Sequence, residues 1–453
     1  MRQQADSRPV RSGFQAALRV ICEGGYDTVA FDLFDTLVLR PFFVPSQIFR
    51  FLAVRDQAFH RANGLSDFVE KRRFAEMACR ENWLRPALRN VAFRRSMWHS
   101  DGFTASRPPS VTDRLCELEE EAELEFCRPR ESGVALFRAA LSAGRRVIVI
   151  TDSCLESASL EKLLQKCGIK GYEAVYSSAD CRRLKRTGTL FTWVRRHRPG
   201  TKILHIGDNR ETDVEMAKRM GLAAVHIPGA RENLTGPFAD EPDLKIPALA
   251  TFCASASLLA CCTVGILAIN FGEITGNTDY FYRDNPCYAG AAVFGPLALF
   301  VSLSLLSACR KGNYNRICLT GPGKFFFADA FRLVAGVLCA KGKEPEIFTE
   351  LKPRTDGRII GRTVALCAAG MCPPAPDSVT HDALALVDLP GSLYRSGAFV
   401  FLRDYVNTFG AYRFLFRNTP HAASPFAYFC RAGENRDGVF SVSEMMKTKI
   451  PTE

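Results

Sequence analysis

No C-x-x-C pair occurs in this chain, although it holds 17 cysteines among 453 residues. Structural zinc modules are built on closely spaced thiolate pairs, so Cys261-Cys262 and the isolated Cys367 and Cys372 do not suggest one. The cysteines are also too thinly spread for a disulfide scaffold. Single scattered cysteines behave as small buried hydrophobes and suit a reducing cytoplasm, the expected location. The h-region of a secretory leader is not expected at the start of the sequence either. The apolar residues of MRQQADSRPVRSGFQAALRVICEGG are interrupted by Gln15 and Arg19, which breaks the h-region such a leader needs. The P-loop pattern G-x-x-x-x-G-K-[ST] is absent. Gly321-Pro322-Gly323-Lys324 has the wrong spacing for it and reads as a tight turn. Short-period repeats and low-complexity tracts are absent. Lys71-Arg72-Arg73 and Arg195-Arg196-His197-Arg198 lack interleaved aromatics and read as solvated basic surface. The net charge of +11 therefore points to an anionic small molecule rather than to nucleic acid.

What is present is ordinary globular material, 47% hydrophobic and 24% charged, in a length that suits two or three domains. Residues 28–31 are a short apolar run ending in Asp32-Leu33-Phe34-Asp35-Thr36. Residues 145–151, 174–178 and 201–208 repeat the strand signal, with helical patterns between them. Strands alternating with helices predict a parallel, doubly wound α/β sheet. Residues 41–142 read as a helical insertion at its carboxyl edge, where ligands bind in such folds. Within it, Glu117, Glu119, Glu120, Glu121, Glu123 and Glu125 read as a solvated helix face pairing with arginines. His205, inside a strand pattern, reads as a packed core histidine.

Residues 231–246 are polar and read as a linker, and 247–453 as a second α/β domain. Residues 248–269 and 287–309 are uncharged and near spanning length. They are rich in Ala, Ser, Thr, Cys and Gly, so buried core helices are expected and a membrane hairpin is the alternative. Strand–turn–helix rhythms follow at 315–334 and 382–402, with further strand candidates at 412–418 and 426–432.

Four chemical signals fall at strand ends in a fixed order. They are Asp32, Thr151, Lys185, and Gly207-Asp208 followed by Asp213. Each alone is weak; an Asp after a strand is often a helix cap. Together they resemble the haloacid-dehalogenase-like (HAD) superfamily, with a Rossmann-like core at 27–40 and 143–230, an extension at 1–26, and the insertion as a cap. The resemblance implies an aspartyl nucleophile, Asp32, that attacks phosphorus. Lys185 would pair with Asp32 and the phosphoryl group, and Thr151 would donate to a phosphoryl oxygen. Thr36 would fix the loop after the nucleophile, and Arg40 could meet a charge on the substrate. Mg2+ would sit on Asp32, Asp208 and the Phe34 backbone carbonyl, supported by Asp213.

Phe34 departs from the pattern. The superfamily's phosphatases usually place a general acid two residues after the nucleophile, worth ~10²–10⁴-fold. Asp35 is one residue further, and an odd step along an extended chain points it elsewhere. Three readings stay open: a substrate whose leaving group needs little protonation, a catalytically weak binding or scaffold domain, and carbon–halogen chemistry. FDLFDTLVLRPFFVPSQIF and ITDSCL also resemble a bacterial group with FD-x-FDTL-x-x-R, often encoded with surface-polysaccharide and glycosyltransferase genes. NPCYAGAAVFGPLALFVSLSLL continues that likeness, whereas Thr320–Lys324 and Val387–Gly391 depart from it. The resemblance implies a phosphorylated sugar or nucleotide as substrate and polysaccharide-assembly proteins as partners; the composition of the two apolar segments is the ground for expecting no membrane span.

Overall fold

The computed structural model describes residues 13–65, 67–70, 72–73, 109–235, 258–272, 287, 290–312, 315–319, 324–349, 363–367, 379–383 and 392–412. The chain divides into two compact units: Met1–Pro237 with Ala268–Asp279, and Phe238–Leu267 with Tyr280–Glu453.

In the first unit the described strands are β1 (Thr28–Phe31), β2 (Val38–Leu39), β3 (Arg128–Pro129), β4 (Arg146–Thr151), β5 (Ala174–Ser177), β6 (Ile203–Gly207) and β7 (Ala223–His226). The helices are α1 (Gly13–Glu23), α2 (Gln47–Arg55), α3 (Gln57–Ala62), α4 (Pro109–Phe126), α5 (Glu131–Ser142), α6 (Ser157–Lys166), α7 (Ser178–Cys181), α8 (Thr189–His197), α9 (Met216–Arg219) and α10 (Ala230–Thr235). Five strands form one sheet in the order β5-β4-β1-β6-β7, and every pairing in it is parallel. Strands covered on both faces need unbroken apolar runs. TVAF and ILHIG are buried throughout, and RVIVIT is buried after its first residue. β1 is the central strand, with Phe31 in register with Val149 on one side and Ile206 on the other. Chain order reverses across β1, so its carboxyl end opens onto the crevice where ligands bind in open parallel sheets. Asp32 is the next residue.

Two expected boundaries shift. α5 was expected within the insertion, yet Val134, Phe137 and Ala140 share one buried cluster with Val29, Phe31, Val147 and Val149. The antiparallel pair β2–β3 closes the insertion just before it. Helical periodicity marks an apolar face but not the sheet that covers it, so α5 could not be separated from the cap by pattern. Likewise α1, expected in an N-terminal extension, buries Ala17 and Ile21 in the same cluster. α10 occupies the start of the expected linker.

In the insertion, α4 divides its acidic run between two environments. Glu117 and Glu121 are exposed and pair with Arg114. Glu119, by contrast, is buried against Arg72, with Arg72 Nε–Glu119 Oε1 at 2.6 Å and Nη2–Oε2 at 3.0 Å. Glu123, one turn on, holds Arg40. The solvated-face expectation thus fails for Glu119 and Glu123. It also fails for Arg72, which has no exposed surface and lies over the Phe49 ring. The pairing with arginines was expected; its burial was not.

After α10 the described elements begin with α11 (Leu258–Gly272), which belongs to the second unit up to Leu267 and to the first from Ala268, and α12 (Gly295–Gly312) in the second unit. They continue with β8 (Arg316–Leu319), α13 (Lys324–Leu338), β9 (Glu346–Phe348), β10 (Thr363–Cys367), β11 (Val379–Ala383) and α14 (Ser392–Phe409). The four strands pair in parallel in the order β11-β10-β8-β9. α11 and α12 overlap the two long apolar segments and each runs three residues past its segment's end, and Cys261, Cys262, Ile266, Ala298 and Leu299 are buried. Among the described residues no helix is long and apolar enough to cross a membrane. The strand candidates at 426–432, and nearly all of that at 412–418, lie outside the described residues.

Candidate active site at the carboxyl edge of the first sheet

The turn after β1 brings the first carboxylate to the crevice. Asp32 N–H donates to Ile206 O at 2.8 Å, which ties Asp32 to β6. Leu37 and Val38 N–H both return to Leu33 O, and Asp35 N–H donates to Val38 O. The chain is therefore tightly bent here. Asp35 takes φ +59, a left-handed conformation that Asp tolerates better than most residues. The expectation that Asp35 stands on an extended chain and points away is thus corrected. Its carboxyl lies among the Arg40, Arg130 and Arg231 guanidiniums, and burial still holds it above the usual carboxylate range.

Arg130, just before α5, supports this turn. Its side chain is almost fully buried, and it donates from Nη1 to Asp35 O at 2.5 Å and from Nη2 to Pro228 O at 2.7 Å. Its own N–H bonds Leu37 O. Gly133 lies so close that a Cβ there would sit 1.8 Å from Thr36 O; only glycine fits against the turn after β1 at that point.

Lys185 reaches the crevice from the segment after α7. Its backbone N–H donates to Asp152 Oδ1 at 2.7 Å, and Ser178 Oγ donates to the same oxygen. Its ammonium is buried and bridges two carboxylates, 2.6 Å from Asp32 Oδ1 and 2.5 Å from Asp213 Oδ1. Asp213 lies in a π-helical turn, Arg210–Glu215, capped by the Asn209 side chain. A Cβ on Gly207 would meet Asp213 Oδ2 at 2.5 Å, so the close approach of that carboxylate also requires glycine. Asp213 Oδ2 accepts from Asn209 N–H at 3.1 Å, and His205 Nε2 lies 3.2 Å from Oδ1. His205 is buried against Phe191 as a core residue, and it also touches the site, which its strand position alone did not reveal. Burial lowers its pKa, and a neutral ring must carry its proton on Nε2 to make this bond.

The charges are unequally satisfied. Burial works against ionised Asp213, yet Lys185 and His205 hold it well below the usual carboxylate range. Burial likewise opposes the Lys185 ammonium, but Asp213 and Asp32 keep it firmly protonated. Asp32 is pushed up to about 7 by burial, against the pull of Lys185. Burial and the neighbouring Asp35 and Asp32 raise Asp208 well above its ordinary range. Thr36 Oγ1 lies 3.4 Å from Asp208 Oδ1, at the distance limit of a hydrogen bond, so it faces Asp208.

Asp32, Asp208 and Asp213 offer oxygens within 4.8 Å of one another. Hard carboxylate oxygens suit a divalent cation such as Mg2+. Asp213 already has both oxygens engaged, whereas among the described residues the Asp208 carboxylate has only the long contact from Thr36. Asp208 and the second oxygen of Asp32, whose Oδ1 is held by Lys185, are thus the less engaged groups of the set. Thr151 is buried at the end of β4, where its carbonyl accepts from Ser178 Oγ at 3.3 Å.

The opposite side of the turn is apolar and cationic. The Phe34 ring is partly exposed, and Arg40 Cζ lies 3.5 Å from its centroid. Arg40 Nε donates to Glu123 Oε2 at 2.9 Å. Asp35, Arg130, Glu119 and Glu123 escaped sequence reasoning as site neighbours. The available signals were an Asp where a tight turn needs positive φ, and an i, i+4 glutamate pair on α4.

A parallel sheet with a switch point at β1, and a carboxylate–lysine cluster at that edge, define an α/β core of the Rossmann-like kind that HAD-like hydrolases use. Residues 26–221 match the haloacid dehalogenase-like hydrolase family. The match covers less than half of the chain and leaves the second unit unassigned. Solved structures similar to the chain include the HAD-hydrolase YfnB from Bacillus subtilis bound to magnesium, at 16% identity and TM-score 0.32, covering 44% of this chain and 87% of that one. L-2-haloacid dehalogenase from Xanthobacter autotrophicus is similar at 20% identity and TM-score 0.33, covering 51% and 87%. A hydrolase from Streptococcus pneumoniae TIGR4 is similar at 16% identity and TM-score 0.26, covering 47% and 97%. Among curated proteins none matches.

Proposed function

We propose that the first unit hydrolyses or transfers a phosphoryl group through an aspartyl phosphate on Asp32, with Mg2+ as cofactor. The observation that carries this is the Lys185 ammonium bridging Asp32 and Asp213, beside an Asp208 carboxylate that has no ion pair of its own among the described residues. A carbon–halogen hydrolase needs no metal and leaves Asp208 without a task; a phosphoryl transferase uses it. A divalent cation on Asp32, Asp208 and the Phe34 carbonyl would neutralise charge on the phosphoryl oxygens.

The chain's own groups do the rest. Lys185 keeps Asp32 Oδ1 oriented and offers positive charge to the transferring group. The other carboxylate oxygen attacks phosphorus; an O–P bond to Asp32 forms as the bond to the leaving oxygen breaks, and the electron pair stays on that oxygen. Water then attacks the aspartyl phosphate, phosphate departs, and Asp32 is restored. Thr151, at the end of β4, would donate to a phosphoryl oxygen. With Phe34 in the usual acid position, the substrates favoured are those whose leaving oxygen is stable as an anion: a nucleoside diphosphate, a pyrophosphate or an acyl phosphate, on a sugar- or nucleotide-linked compound. Service in surface-polysaccharide assembly in the cytoplasm is the accompanying proposal.

The test is trapping with magnesium and beryllofluoride. An adduct on Asp32, lost in Asp32→Asn and on chelation, is the expected result. Turnover that survives either treatment would exclude the mechanism.

A further inference from the structure

We infer that Arg40 binds the anionic leaving group, so that a fixed cation stands where the usual proton donor is missing. This rests on the phosphoryl-transfer reading above and narrows its substrate class to compounds with a phosphate or carboxylate leaving group.

The placement comes first. Phe34 stands two residues after Asp32 in the tight turn that follows β1, the position where the phosphatases this chain resembles carry their acid. The Arg40 guanidinium covers that ring, with Cζ 3.5 Å from the centroid. A cation over a ring face is attracted by the ring quadrupole, so Phe34 serves as a platform for the charge. The second observation is how Arg40 is held. Its Nε donates to Glu123 at 2.9 Å, and the side chain is only 16% exposed. Among the described residues neither Nη nitrogen has an acceptor. An arginine that merely tied α4 to the core would be expected to present its fork to the carboxylate, as Arg72 does to Glu119 through Nε and Nη2. Arg40 uses one nitrogen and leaves both terminal nitrogens open. A pre-oriented fork with two free nitrogens fits two oxygens of a phosphate or carboxylate.

The chemistry is consistent with the placement. When the bond to phosphorus breaks, the electron pair remains on the leaving oxygen. A phosphate or carboxylate keeps that charge without a proton, and Arg40, which stays ionised throughout, balances it. An alkoxide would need the proton that Phe34 cannot supply.

The experiment measures binding by calorimetry in magnesium buffer, with methylenediphosphonate as a diphosphate that cannot be cleaved and inorganic phosphate as the control. Arg40→Met is expected to weaken methylenediphosphonate by roughly ten- to a hundredfold, the scale of hydrogen bonds to charged groups, and to leave phosphate unchanged. Glu123→Gln, which keeps an oxygen for Nε and removes the competing charge, is expected to hold or improve diphosphonate affinity. The inference is overturned if the wild type does not bind the diphosphonate, if Arg40→Met weakens both ligands equally or neither, or if Glu123→Gln loses affinity as Arg40→Met does. Beryllofluoride trapping on the same preparations separates the two levels. An Asp32 adduct in Arg40→Met with unchanged diphosphonate binding sinks the role of Arg40 alone. A missing adduct in the wild type sinks the phosphoryl-transfer reading beneath it.

Discussion

The two sides of the nucleophile turn are built on opposite principles. Behind Asp32, every polar atom of the Lys185 and Asp213 pair is engaged, and Asn209, His205 and Asp152 fix the partners. In front, the Phe34 ring and Arg40, whose terminal nitrogens have no acceptor among the described residues, leave much less satisfied. A buried ammonium and carboxylate with all their polar side-chain atoms engaged specify one geometry. A partly satisfied group is where a ligand can still add bonds. The rear thus reads as machinery common to any substrate of this site, and the front as the part that chooses among substrates.

The sharpest way to break this contrast is Asp32→Asn. Loss of transfer on the order of 10⁴-fold or more is expected, together with a gain in stability. The sign follows from the raised pKa. A carboxyl held at about 7 when folded, against the ordinary ~3.9 of a free aspartate, contributes stability that is complete below the unfolded value and is lost as pH rises through 7. At pH 8 without metal the wild type therefore carries an unfavourable buried anion, and Asn removes it. The melting temperature of Asp32→Asn should exceed the wild type's at pH 8 and approach it toward pH 4; a pH-independent difference would refute the argument.

Lys185→Met tests the rear from the other partner. It leaves Asp32 and Asp213 buried without their cation, and removing one member of a buried pair costs about 3–5 kcal/mol. Denaturant unfolding should show a loss of that size, and unchanged stability would mean that the network relaxes.

Phe34→Asp tests the front. Restoring an acid should raise turnover of poor leaving groups by roughly 10–10²-fold, below the full range for general acid catalysis because the ring under Arg40 is lost as well. No gain, measured across esters of graded leaving-group pKa, would show that Phe34 is not what limits them.

The smallest effect belongs to His205→Phe. One hydrogen bond to Asp213 is lost while the Phe191 packing is kept. A fall of about tenfold or less in adduct formation is expected, about the scale of one such bond, with fluoride trapping as the measure.

The same contrast explains what sequence reasoning reached. The β1, β4 and β6 pattern was readable because strands buried on both faces leave an unbroken apolar run, and Asp32, Lys185, Asp208 and Asp213 follow from strand ends in a fixed order. Those residues make up the rear. The front depends on groups far apart in the chain: Arg40 on Glu123, Arg130 on the Asp35 carbonyl, Arg72 on Glu119. No periodicity distinguishes Glu119 from Glu120 in a run of glutamates; only the insertion's packing turns one inward. The helix α5 was misplaced for the same reason. Its apolar face was evident, but not the sheet beneath it.

The π-helical turn at Arg210–Glu215 carries a consequence for how this site tolerates change. The Met216 N–H reaches back five residues to Glu211 O, so the turn holds one residue more than an α-helix would. Deleting a single residue there would restore ordinary α geometry and rotate what precedes it by about 100° relative to α9. The sheet and its core would persist, while Asp213 would leave Lys185. The site is therefore protected less by the chemistry of its residues than by their count, and insertions or deletions in this short stretch should be far more damaging than most substitutions.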